Sequence, residues 1–207
     1  MKIFYHDATK TFHIQNSFIS YVITILPNGE IGNLYCGKRI SNKDDFLYML
    51  SFKRYPVSAL TSEAEGSFSL DSVRREYPSY GTSDFRYPAV SILQKSGSII
   101  SSFAYVSHKI IHGKPSLPGL PATYVEDQNE ALTLEIFLYD SVSETELLLR
   151  YSLFKDYPVI TRNAIITQKG LQDVSIQQAM SASVDFPDAD YEMVHLGGAW
   201  GRERHIK

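Results

Sequence analysis

Cysteine, surplus basic charge and long apolar runs are all scarce in this sequence, and each scarcity closes off a class of protein. Cys36 is the sole cysteine. It has no partner for an internal disulfide, so a disulfide-stapled secreted fold is excluded. Lys and Arg number 20 against 23 Asp and Glu, a net charge of -3. That balance lacks the basic footprint of a nucleic-acid binder. The longest apolar stretch, Phe18 to Leu26, is interrupted by Ser20 and Thr24 and is too short to cross a bilayer. The opening residues MKIFYHDATK show neither an apolar signal core nor a small-residue cleavage site. The expectation is therefore a cytoplasmic protein with no membrane and no nucleic-acid partner. No amphipathic helix of ordinary length, internal repeat or charge block is visible either.

Aromatic residues are plentiful instead: 14 Tyr and 11 Phe accompany one Trp in 207 residues. Tyrosine and phenylalanine beside many β-branched residues suit strands. The dominant period is two. Leu132, Leu134, Ile136 and Leu138 alternate with Thr133, Glu135 and Phe137. Leu147, Leu149, Tyr151 and Leu153 alternate with Leu148, Arg150 and Ser152. Ile160, Arg162, Ala164 and Ile166 share one face, and Ile19, Tyr21, Ile23 and Ile25 share another. Pro27-Asn28-Gly29 signals a hairpin between Ser17–Leu26 and Glu30–Cys36. Short turns at Asp140–Ser143 and Asp156–Pro158 separate others. The pattern predicts an all-β antiparallel sandwich. Ser41 to Gln94 lacks sustained alternation and reads as long loops with short strands. Loops of such length in a compact domain are usually functional or interfacial.

The usual chemical signatures are weak. His108 and His112 lie four apart without the glutamate of a zincin, and on a strand they stand too far apart to chelate. His6, His13, His195 and His205 show no ligand spacing, so no metal is expected. There is no nucleophile elbow, dinucleotide fingerprint or P-loop. Cys36 ends an apolar strand and reads as a buried, inert thiol. Asp44, Asp45, Asp84, Asp185, Asp188 and Asp190 are available as carboxylates, but spacing selects no catalytic pair among them.

Two segments stand out. In Glu76–Pro88, Asp84 and Arg86 are two apart and share a face if the chain is extended, so they are placed to pair. In Gly197–Arg204, small residues flank Trp200 and leave its indole uncovered. Such a ring suits stacking on a sugar, or coverage by another domain.

At these residues the chain resembles the N-terminal region of the family 36 glycoside hydrolases, the bacterial α-galactosidases. Five ordered blocks carry the resemblance: NGEIGNLYCGKRI from Asn28, FSLDSVRREYPSYGTSDFRYPA from Phe68, GLPATYVED from Gly119, LTLEIFLYD from Leu132 and SASVDFPDADYEMVHLGGAWGRER from Ser181. The first has Cys36 where the family usually has an aromatic. The resemblance implies a galactose mutarotase-like β-supersandwich over 1–207, incomplete here, ahead of a (β/α)₈ barrel that carries both catalytic aspartates. No catalytic residue is thus expected in this chain.

The implied enzyme removes terminal α-galactosyl groups from melibiose, raffinose and stachyose by a retaining two-carboxylate mechanism. It needs no metal or organic cofactor and assembles as a homotetramer whose N-terminal domains help close the sugar pocket. The indole of the family's G-A-W-x-R-E-R motif, Trp200 here, is implied as the substrate-binding residue. Arg202, Glu203 and Arg204 are implied to position its loop. Members also bring an acid to the pocket from the loop before the F-S-L-D block. Here Ser51–Tyr55 is basic at its centre and no acid matches. A stand-alone carbohydrate-binding or assembly module is the alternative from another class, and a raffinose-type transferase would share this domain.

Overall fold

The computed structural model describes residues 1–50, 58–61, 68–119, 122–186 and 189–206. Ser51–Tyr55, the basic stretch where no acid matched, and Asp188 lie outside them. Two four-stranded antiparallel meanders dominate. The first runs in the order β1 (Lys2–His6), β2 (Thr11–Gln15), β3 (Ile19–Ile25) and β4 (Ile31–Lys38). The second runs in the order β6 (Ala104–His112), β7 (Ala131–Asp140), β8 (Thr145–Phe154) and β9 (Ile160–Gln168). Between them in the chain lies β5 (Val90–Leu93), which pairs with β10 (Ser175–Ala179). A C-terminal hairpin, β11 (Leu196–Ala199) and β12 (Arg202–Ile206), completes the strands.

The period-two runs form strands as expected, and the inward positions meet in one core. Phe12, Ile14, Tyr21 and Ile23 from the first meander pack with Leu134, Ile136, Leu138, Leu147, Leu149, Tyr151 and Leu153 from the second. Alternating side chains on facing sheets interdigitate in this way in a sandwich. Burial of that apolar surface is the main stabilising term, at about 25 cal/mol per Å² removed from water. The Asn28-Gly29 hairpin forms with Gly29 at φ +85°. Glycine is needed there twice over, since a Cβ would also sit 3.0 Å from the Cβ of Ala104.

Strands β1 and β2 escape the periodic reading. Every position of β2 is buried, because its outer face is covered as well as its inner one. Phe46, itself fully buried, packs its ring edge-on to His13 at 5.0 Å between centroids. A strand covered on both faces loses the polar alternation that announces it. The described residues of Ser41–Gln94 are mostly loop, with a 3₁₀ turn at Leu47–Met49 and the short β5.

Candidate functional site

The indole singled out above sits at the tip of the C-terminal hairpin. Ala199 pairs with Arg202, so Trp200 and Gly201 form a two-residue turn. Gly201 adopts φ +74°, a conformation that other residues resist. Its N–H donates to Glu203 Oε1 at 2.9 Å. The Glu203 carboxylate thus closes the turn. A Cβ on Gly198 would lie 2.8 Å from the carbonyl oxygen of Arg202, so the hairpin closes only on glycine. Trp200 is 98% exposed. A rigid turn that presents a free indole offers a stacking platform.

Residues 68–89 are held by buried ionic groups. Arg75 pairs with Glu30, and its Nη1 lies 3.1 Å from Asp84 Oδ2. Arg75 Nη1 also donates to the carbonyl of Ser79 at 2.8 Å. Asp84 and Arg86 do pair: Arg86 donates through Nε to Oδ1 at 2.9 Å and through Nη2 to Oδ2 at 2.8 Å. Burial by itself would raise the Asp84 carboxyl, but the hydrogen bonds of Arg86 and the charges of Arg75 and Arg86 hold it below 3.8. Burial pushes Arg75 down to about 10 against the pull of Asp84, so it remains charged at neutral pH. Gly81, Thr82 and Ser83 all have positive φ. That strain persists because the surroundings over-determine the turn. Gly81 and Asp84 exchange backbone hydrogen bonds, and Ser83 Oγ accepts from Leu70 N–H. The loop carries Phe85 and Tyr87 in exposed positions.

A second buried network joins the two meanders. The Glu76 carboxylate, only 1% exposed, accepts from Tyr21, Tyr151 and Asn33, each at 2.8 Å. Arg162 Nη2 lies 2.9 Å from Glu76 Oε2 and also donates to the Glu76 carbonyl. Arg162 Nη1 donates to the carbonyl of Ser183 at 2.9 Å, which fastens the chain beyond β10 to the sandwich. The guanidinium also lies over the Tyr151 ring, 5.2 Å from its centroid. Burial works against its charge, yet Glu76, Tyr151 and Tyr21 together outweigh it and raise the pKa of Arg162. Burial and Glu76 push both tyrosine hydroxyls up. Beside this network lies a cavity of about 290 Å³, bordered by β3, β4, β9 and Ser183–Asp185.

The other candidates are placed as follows. Cys36 is exposed near the end of β4 and borders that cavity, which corrects the expectation of a buried thiol. The apolar run fades at the end of β4, where cover from the sandwich stops. Its thiol is still pushed up by burial and by Glu76, so it remains a poor nucleophile at neutral pH. His108 packs between Tyr5 and Phe12 and takes part in a hydrogen bond with Tyr105 Oη at 2.7 Å. Among the described residues no cluster is arranged to hold a metal. Asp44 is exposed 4.0 Å from His6, and Asp45 accepts from Leu47 N–H. Asp185 borders the cavity, and Asp190 and His195 are exposed. The residues that pattern reading overlooked are Arg75, Glu76 and Arg162. Arg162 did leave a signal: a charge on the otherwise apolar face of Ile160, Ala164 and Ile166.

Residues 29–207 match the model of the glycosyl hydrolase family 36 N-terminal domain. The chain belongs to this family. It is 41% identical to α-galactosidase AgaA of Geobacillus stearothermophilus over 209 aligned residues, covering 100% of this chain and 28% of that protein. The crystal structure of AgaB from the same organism superposes with a TM-score of 0.89 at 40% identity, over 100% of this chain and 28% of that one. The α-galactosidase of Lactobacillus brevis gives a TM-score of 0.92 at 32% identity, over 99% and 28%. AgaA variants have been crystallised with raffinose and with stachyose. This family 36 domain therefore spans little more than a quarter of the relatives that it matches.

Proposed function

We propose that this domain is the N-terminal, non-catalytic part of an α-galactosidase that acts on melibiose- and raffinose-type sugars. The observation that carries the reading is the match of residues 29–207 to the family's N-terminal domain, beside 41% identity over the whole chain to 28% of AgaA. In this reading hydrolysis is retaining: one carboxylate attacks the anomeric carbon, and a second protonates the leaving oxygen and then activates water. Both carboxylates belong to the barrel outside this chain, so the domain alone does not turn over substrate. Its part is to present Trp200 at the border of the sugar pocket and to support assembly, as a homotetramer. The free indole on a glycine-closed turn supports the first role. Exposed Phe85 and Tyr87 on an ion-paired loop support the second, since rigid exposed aromatics are the usual anchors of interfaces.

The test is Trp200→Ala in the full-length protein, assayed on raffinose. A rise in KM with an unchanged melting temperature is expected. A melting temperature that drops while kinetics stay unchanged would make the indole a packing residue only.

A further inference from the structure

Two donors grip the chain where it leaves the sandwich for the Trp200 hairpin. Tyr77 Oη–H donates to the carbonyl of Met180 at 2.5 Å. Three residues on, Arg162 Nη1 donates to the carbonyl of Ser183 at 2.9 Å. Met180 is held from its other side as well, since its N–H donates to Ala89 O at 2.9 Å. One dipeptide governs both grips. Tyr77 makes the first directly. Its neighbour Glu76 orients the guanidinium that makes the second, through its carboxylate and its own carbonyl. The dipeptide is itself fixed, because Glu76 N–H donates to Ile31 O at 2.9 Å and the Tyr77 ring is buried in the core.

Past Ser183 this support ends. Among the described residues, no hydrogen bond or ion pair ties 184–206 back to the sandwich. Nearly all of those residues are exposed, and β11 pairs only with β12. One anchor would leave the segment free to pivot. Two anchors three residues apart set both its position and its direction. We propose that Tyr77 and Arg162 are positioning residues for Trp200: their clasp on Met180 and Ser183 aims the hairpin that carries the indole. The link to substrate rests on the reading of Trp200 as a pocket residue; the clasp itself does not. The demand on aim is tight, since a misplacement of about 1 Å by a change far from the chemistry can cost on the order of 100-fold.

The test is Tyr77→Phe in the full-length protein, which removes one donor and keeps the buried ring. Loss of a neutral hydrogen bond corresponds to about a two- to tenfold change in an equilibrium. KM for raffinose should rise by that factor with kcat unchanged, and amide exchange at Met180–Val184 should quicken. Arg162→Lys, which keeps a cation beside Glu76 but loses the planar fork, should act alike. In a Trp200→Ala background neither substitution should change KM further. A purely structural role gives instead a lower melting temperature with the same KM, or a KM shift that persists without Trp200; either result overturns the proposal. If Trp200→Ala itself leaves KM unchanged, the pocket reading fails and exchange alone decides the clasp: faster exchange in Tyr77→Phe upholds it, and equal rates at Met180–Val184 in parent and variant overturn it.

Discussion

Removing Arg162 leaves the Glu76 carboxylate buried without its countercharge, and the structure sets the size of the penalty. Arg162→Met keeps the length of the stem and removes the ion pair at 2.9 Å together with the donors to Glu76 O and Ser183 O. Breaking one side of a buried pair costs about 3–5 kcal/mol, because the partner is stranded out of water. Here Tyr21, Tyr151 and Asn33 still donate to the carboxylate, so the lower end applies. A loss of about 3 kcal/mol in a domain of this size lowers the melting temperature by roughly 6–12 °C. Arg162→Lys restores a charge but not the planar fork, and recovers only part of the loss. Melting by circular dichroism and a double-mutant cycle with Glu76→Gln read the effect. Additive single losses, or a melting temperature for Arg162→Met within about 2 °C of the parent, would refute the reasoning.

Three further outcomes follow from the same structure. Burial pushes the His13 imidazole down, opposed by its hydrogen bond to Asn42 and aided by the charge of His6. The unfolded chain therefore takes up that proton first, and stability falls as pH drops below 6.5. Urea midpoints should decline from about pH 7 to 5, and less steeply in His13→Gln. Asp84 contributes stability above 3.8 that is lost as pH falls through its lower folded value, so Asp84→Asn should flatten the acid limb of the same titration. Gly81→Ala forces a side chain into φ +97°, with its Cβ 2.9 Å from Ile100 Cγ2. A loss of about 1–2 kcal/mol in chemical denaturation is expected, and an unchanged midpoint would show that the turn relaxes freely.

Much of the sandwich was legible because alternation survives wherever one face is buried and the other is not. Leu134, Ile136 and Leu138 on β7, and Leu147, Leu149, Tyr151 and Leu153 on β8, are inward residues that period two alone picks out. It failed for β2, where loop residues cover the outer face around His13. Asp84 and Arg86 were legible as a pair because they are neighbours in sequence. Glu76 and Arg162 were not: they lie far apart in sequence, and Glu76, on a loop pinned to β4 through Ile31, meets β9 only once the two meanders pack. Trp200 was legible for a different reason. The glycines around it give the indole no cover, whatever the rest of the fold does. The cavity beside Glu76 left no sequence trace, since its walls come from strands and loops that are distant in the chain.

The most direct test of the central claim is turnover of raffinose by the full-length protein and by residues 1–207 alone, with the released anomer followed by nuclear magnetic resonance. The full-length protein should release galactose first as the α-anomer, which slowly equilibrates, and the isolated chain should release none. Turnover by the isolated chain, or a full-length protein inert towards α-galactosides, would contradict the account.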